Sequence, residues 1–140
     1  MLLLRNKQKQ NLHVGKFGQI LFKPGVYAYI GSAFGPGGIK ARVDRHLRQT
    51  DKKHWHIDYI KSAMTIEEVW LIYTHQRLEH RCAKICADLE QAQNARPGFG
   101  SSDCDCKTHL YYYPKMPKFL DFKKQLSMKS DKVAVVRLNG

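Results

Sequence analysis

Acidic residues are scarce in this 140-residue chain: 12 Asp and Glu stand against 24 Lys and Arg, giving a formal net charge of +12. An excess this large on one small domain favours a polyanionic partner, because Lys and Arg displace condensed counterions from phosphates. Nucleic acid ranks first on that ground, charge serving solubility alone ranks second, and an anionic membrane surface third. Long apolar runs are lacking as well. None is long enough to span a bilayer, and Met1-Leu2-Leu3-Leu4-Arg5 is too short for a secretory leader and has no small-residue cleavage site after it. The expectation is a cytoplasmic protein with no membrane partner. Cysteine is limited to Cys82, Cys86, Cys104 and Cys106. In a reducing compartment these are thiols, packing groups or metal ligands rather than structural disulfides. Low-complexity tracts and solenoid repeats are missing too, which argues against disorder and repeat arrays. With 43% hydrophobic residues and no evident linker, residues 1–140 read as one domain with a real core.

Residues 12–32 read as short strands joined by tight turns. Gly15-Lys16-Phe17-Gly18 suits a hairpin connection, Gln19 to Phe22 a strand, and Pro24-Gly25 the next turn. From Val26 to Ile30 the period of two sets Tyr27 and Tyr29 on one face and Val26, Ala28 and Ile30 on the other, so both phenols are expected to face a cleft. Gly35-Pro36-Gly37-Gly38 then opens a helix over 38–49 with a buried stripe of Ile39, Val43 and Leu47. A second helix is expected over 54–63, a strand from Val69 to Tyr73, and a third helix over 77–92 that buries Leu78, Cys82, Ile85, Cys86 and Leu89. Residues 94–106 form a polar loop, His109 to Tyr113 a strand, Phe119 to Leu126 a short helix, and Val133 to Leu138 a last apolar run. The class is α+β.

A few residues in this plan carry chemistry. An isolated phenol is a poor base at its reference pKa of about 10, but a neighbouring cation shifts it. Gly31-Ser32 ends its strand without bulk, which lets a phosphate approach the backbone. Arg42 offers a planar fork to two phosphate oxygens, and His46 lies one helical turn further on the same face. Arg45 and Arg48 add charge to that helix. Glu79 is the only acid in the first two turns of the third helix, and one carboxylate suffices for a Mg²⁺ ion that keeps most of its waters. Taken singly, each of these residues is more often structural or solvated than functional. What matters is that they occur together, in order.

That order resembles the GIY-YIG nuclease superfamily, and within it the Uri-type endonuclease branch. The likeness rests on Tyr29-Ile30-Gly31-Ser32-Ala33, then Arg42 and His46, then Glu79. Branch-like signatures are Gly35-Pro36-Gly37-Gly38, His54-Trp55-His56-Ile57-Asp58-Tyr59, and Gly98-Phe99-Gly100-Ser101-Ser102-Asp103-Cys104-Asp105-Cys106 leading to His109-Leu110. It spans roughly residues 12–113. The resemblance implies a small antiparallel sheet flanked by helices and a metal-dependent phosphodiester-cleaving site. On that analogy Tyr29 positions or activates water, with Tyr27 sharing the work, Arg42 clamps the scissile phosphate, His46 supports it, and Glu79 binds Mg²⁺ or Mn²⁺. Ser32, Arg45, Arg48, His54, His56, Ser101 and Ser102 are the expected nucleic-acid contacts, with DNA preferred to RNA.

The chain departs from the family pattern in one respect. The first Gly-x-Tyr motif, which the family carries on an N-terminal strand, has no match here: the sequence begins inside that strand at Met1-Leu2-Leu3-Leu4, and Gly25-Val26-Tyr27 reads as part of the next one, so either the start is truncated or one catalytic tyrosine is lacking. A catalytically impaired nucleic-acid-binding module is therefore the alternative to an active endonuclease. A zinc-stabilised interaction domain built on Cys104, Cys106 and His109, with His54 and His56 nearby, is the third reading. Zn²⁺ is less favoured than Mg²⁺ or Mn²⁺, because paired Cys-x-x-Cys knuckles are absent.

Overall fold

A computed structural model describes residues 1–33, 37–48, 52–101, 106–129 and 132–138. The chain forms β1 (Leu2–Asn6), β2 (Gln10–His13), β3 (Gln19–Phe22), β4 (Gly25–Tyr29), α1 (Gly38–Leu47), β5 (Thr65–Ile72), α2 (Glu79–Asp88), β6 (Gln93–Asn94), β7 (Leu110–Tyr113), α3 (Phe119–Leu126) and β8 (Val133–Arg137). Six strands make one antiparallel sheet in the order β6-β7-β4-β1-β5-β8, while β2 and β3 form a separate hairpin closed by a 3-10 turn at Gly15–Phe17. The architecture is α+β, as the alternating runs suggest.

Side-chain alternation splits the core into two layers. Leu3, Val26, Ala28, Ile30, Trp70, Tyr111 and Tyr113 face α2 and α3, meeting Cys82, Ile85, Cys86, Phe122 and Leu126. Leu2, Leu4, Tyr27, Tyr29, Val69, Leu110 and Tyr112 face the β2–β3 hairpin and the segment around Ile57 and Ile60. Every residue of β4 is consequently buried. Tyr27 and Tyr29 do share a face and are both buried, at 2% and 4% exposure, but of the two Tyr29 alone borders a cleft. Burying side chains such as Phe122 or Trp70, both fully enclosed, stabilises the fold by about 2–3 kcal/mol apiece.

Three expectations change here. Residues 54–63 form a 3-10 turn at His56–Tyr59 rather than a helix. The cause is Asp58, fully buried, whose Oδ2 accepts the backbone N–H groups of His54 at 2.8 Å and Trp55 at 2.9 Å and so closes a tight turn. On α1 the buried residue is His46, while Leu47 is 44% exposed and Ile39 and Val43 are only half-buried. The helix is thus rotated to turn its Arg-His face inward. Strand β5 begins at Thr65, ahead of the apolar run, because its two glutamates have partners: Glu67 pairs with Arg5 at 3.1 Å and Glu68 accepts from Trp70 Nε1 at 2.9 Å.

Candidate active site

The register of β1 sets one end of the sheet. Leu2 stands opposite Tyr29 on one side and Val69 on the other, so the last residues of β4 and the start of α2 come together there. Between them and α1 lies a cleft lined by Tyr29, Gly31, Ser32, Arg42, His46 and Glu79. Its volume of about 110 Å³ exceeds what a single water needs several-fold, which is room for a phosphate group. A Cβ at Gly31 would lie 3.3 Å from Tyr29 Cε2, so the Tyr29 ring would have to give by a few tenths of an ångström to accept a side chain there.

Within the cleft, burial dominates the electrostatics. It pushes the Tyr29 phenol up to about 12, against the charge of the neighbouring Arg42 guanidinium, which favours the phenolate. Tyr29 is therefore a neutral phenol near pH 7. Burial, followed by the charge of Arg42, pushes His46 down to about 4. Arg42 Nε–H donates to His46 Nε2 at 3.4 Å, which leaves the ring proton on Nδ1, a buried atom with no partner among the described residues. Glu79 opens α2 with its side chain 28% exposed, and its Oε2 lies 3.9 Å from His109 Nδ1. Burial lowers His109 against the opposing effect of Glu79, and His109 Nε2 is the second buried atom without a partner among the described residues.

The expected site residues divide clearly. Tyr29, Ser32, Arg42, His46 and Glu79 meet in the cleft. Tyr27 does not: its hydroxyl donates to Lys23 O at 3.0 Å and accepts from Lys23 N at 2.8 Å, which ties it to the turn before β4. Arg45 is held by Asp58 through two hydrogen bonds of 3.0 and 3.1 Å. Arg48 borders a neighbouring recess with Lys53 and Lys61, on the other side of His46. His54 packs edge-on against Trp55, and His56 Nδ1 accepts the Gly100 N–H at 2.7 Å. Ser101 is buried, and Ser102 lies outside the described residues.

The zinc cluster is not assembled among these residues. Cys104 lies outside them, Cys106 Sγ sits 3.2 Å from His80 Nδ1, and His54, His56 and His109 go to separate neighbours. No group of three His, Cys, Asp or Glu able to hold a metal is found among the described residues. Glu79 alone, partly open in a cleft, is nevertheless a fitting donor for a hard cation that retains most of its waters. Reasoning from sequence allowed for stacking or packing by Trp55 but missed Arg42 and Arg45 as its partners, the position of His109 beside Glu79 and the buried charge of Asp58. The one available signal was Asp58 itself, an acid amid apolar and aromatic neighbours.

Sheet, helices and cleft make an α+β architecture, and the family that the sequence matches is GIY-YIG-like. The family model described as domain of unknown function DUF123 matches residues 1–131, and the chain belongs to that family. No curated protein and no solved structure matches it.

Proposed function

We propose that this protein is a divalent-metal-dependent endonuclease of the Uri-type branch, hydrolysing phosphodiester bonds in DNA in preference to RNA. The observation that carries the reading is the convergence of Tyr29, Arg42, His46 and Glu79, spread over 51 positions of sequence, on one cleft in a chain of net charge +12. Arg42 presents its fork to the non-bridging oxygens of a phosphate and offsets charge that grows in the transition state. Neutral Tyr29, both donor and acceptor, orients the attacking water. His46 accepts from Arg42 and so holds the clamp rather than serving as a free base in this arrangement. Glu79 would hold Mg²⁺ or Mn²⁺, and the bound ion supplies Lewis-acid stabilisation of the phosphate.

The test is incubation with plasmid, single-stranded DNA and structured RNA under Mg²⁺, Mn²⁺ or EDTA. Cleavage of DNA with metal is expected, lowered at least about 100-fold by Glu79→Ala or Arg42→Ala. Variants that cut as well as the parent would remove this assignment. A second reading, a binding module without cleavage, draws on the position of Tyr27: among the described residues Tyr29 is the one phenol that reaches the cleft. Metal-independent DNA binding with no cleavage of any substrate would favour that reading.

A further inference from the structure

Arg42 and Arg45 lie three residues apart on α1, and both guanidinium groups converge on Trp55. The Arg42 Cζ is 3.9 Å and the Arg45 Cζ 4.0 Å from the indole centroid, and the His46 ring is 5.5 Å away. Two like charges in one small space need different solutions, and the structure supplies them. Arg45 is neutralised by Asp58, which also forms an ion pair with Lys61 Nζ at 3.3 Å and, through the backbone N–H of Trp55, fixes where the indole stands. Arg42 has no carboxylate partner among the described residues. A guanidinium carries five N–H donors, and an aromatic face restrains it without using any of them. A carboxylate would restrain it equally well but would cancel its charge and occupy its fork.

We infer that Trp55 is a positioning residue for Arg42: it holds the guanidinium by stacking so that charge and donors stay available to a phosphate, while Asp58 keeps Arg45 out of that role and anchors the indole. This rests on the reading of Arg42 as a phosphate clamp. It departs from the expectation that the His54-Trp55-His56 segment meets nucleic acid and that Arg45 touches phosphate. Trp55 acts through Arg42, so removing the indole matters only while Arg42 is present.

The experiment is a double-mutant cycle read by binding of a short labelled DNA duplex in EDTA, where no cut intervenes, with thermal unfolding measured on each variant. Trp55→Leu is expected to weaken binding about three- to tenfold, Trp55→Phe to restore most of the loss, and Trp55→Leu with Arg42→Ala to bind no worse than Arg42→Ala alone. In parallel, the NMR resonance of the Arg42 Nε–H reports the stack directly: a ring-current shift present in the parent and in Trp55→Phe should vanish in Trp55→Leu. Losses that add in the double variant, or a Trp55→Leu protein that binds like the parent, would overturn the inference and leave the nuclease reading intact. A parent that shows the ring-current shift yet binds no DNA would overturn the nuclease reading, and with it the phosphate role given to this pair.

Discussion

Tyr27 and Tyr29 stand two residues apart on the same face of the same strand, and both are buried, yet they belong to different regions. At the Tyr27 end, the buried phenols are satisfied by main chain. The Tyr27 hydroxyl is both donor and acceptor to Lys23, its ring packs on Phe22 and Tyr112, and the Tyr112 hydroxyl donates to Pro24 O at 2.7 Å. At the Tyr29 end, polar groups face charged side chains or nothing. Tyr29 meets Arg42 and the edge of His46, and the two buried unpartnered atoms found among the described residues, His46 Nδ1 and His109 Nε2, both sit there. A protein pairs nearly all its buried polar atoms, so two ring nitrogens with no partner among the described residues set this end apart from the other. One end of β4 is closed by main-chain hydrogen bonds, and the other borders a cleft.

The largest effect expected from that contrast is at Asp58. Asp58→Ala strands Arg45, Lys61 and two backbone N–H groups at the cleft end and should cost about 3–5 kcal/mol, read by urea unfolding. A loss below about 1 kcal/mol would mean that buried charge does not hold this region together. Burial alone would raise the Asp58 carboxyl, but the Arg45 hydrogen bonds and the N–H groups of Trp55 and His54 outweigh it and hold Asp58 well below the usual carboxylate range. Its stabilisation is accordingly present above the unfolded pKa of about 4 and is lost as pH falls from there.

Acid acts earlier on His46. Its folded pKa of about 4 lies below an unfolded value of about 6.5, so between those limits the unfolded chain binds the proton first. Stability should fall by up to about 3 kcal/mol as pH drops from 6.5 to 4 and then gain no further slope from this group. His56 and His109, also lowered by burial, push in the same direction from the same end of the sheet. His46→Gln should remove part of the slope. An unchanged slope in that variant would move acid sensitivity away from the cleft.

The tyrosines themselves provide the sharpest pairing, though a smaller one. Tyr29→Phe should lower cleavage about 10- to 100-fold with little change in unfolding midpoint. Tyr27→Phe should do the reverse, leaving cleavage within about twofold while costing about 1–2 kcal/mol for the unpartnered Lys23 backbone groups. Equal effects on activity would erase the distinction between the two ends.

How much of this was legible beforehand follows from range. Period-two alternation put Tyr27 and Tyr29 on one face, because strand geometry is local, and the apolar stripe of α2 at Cys82, Ile85 and Cys86 was equally readable. The Arg42–His46 contact followed from helical spacing. What alternation cannot show is which tyrosine the neighbouring turn will capture, since that depends on Lys23 folding back over the strand. The 54–63 segment misled for a similar reason: its composition suits a helix, but one carboxylate from Asp58 took the backbone donors of the first turn. His109 was placed with the cysteines by sequence proximity, whereas β7 pairing with β4 sets it near Glu79. Long-range register decided only the last of these; the first two turned on side-chain-to-backbone hydrogen bonds three or four residues apart, which periodicity does not register.

The smallest effect isolates a single contact between loop and cleft. Gly100 has φ +68, and a Cβ there would lie 3.0 Å from Tyr29 Cε1 and 3.3 Å from His109 Cβ. Gly98, two residues earlier, has φ +81, but its nearest neighbour would be Phe17 Cζ at 3.7 Å, an ordinary contact. Both Gly→Ala changes therefore carry the left-handed backbone cost of about 1–2 kcal/mol, and only Gly100→Ala also presses on the Tyr29 ring. Subtracting one variant from the other cancels the backbone term. The remainder should be a further loss of a few tenths of a kcal/mol in stability and a few-fold drop in cleavage confined to Gly100→Ala, because a ring shifted by a few tenths of an ångström no longer aligns its hydroxyl with Arg42. If Gly98→Ala lowers cleavage as much as Gly100→Ala, the loop affects the site through its backbone as a whole, and the packing of Gly100 on Tyr29 is not what sets the phenol in place.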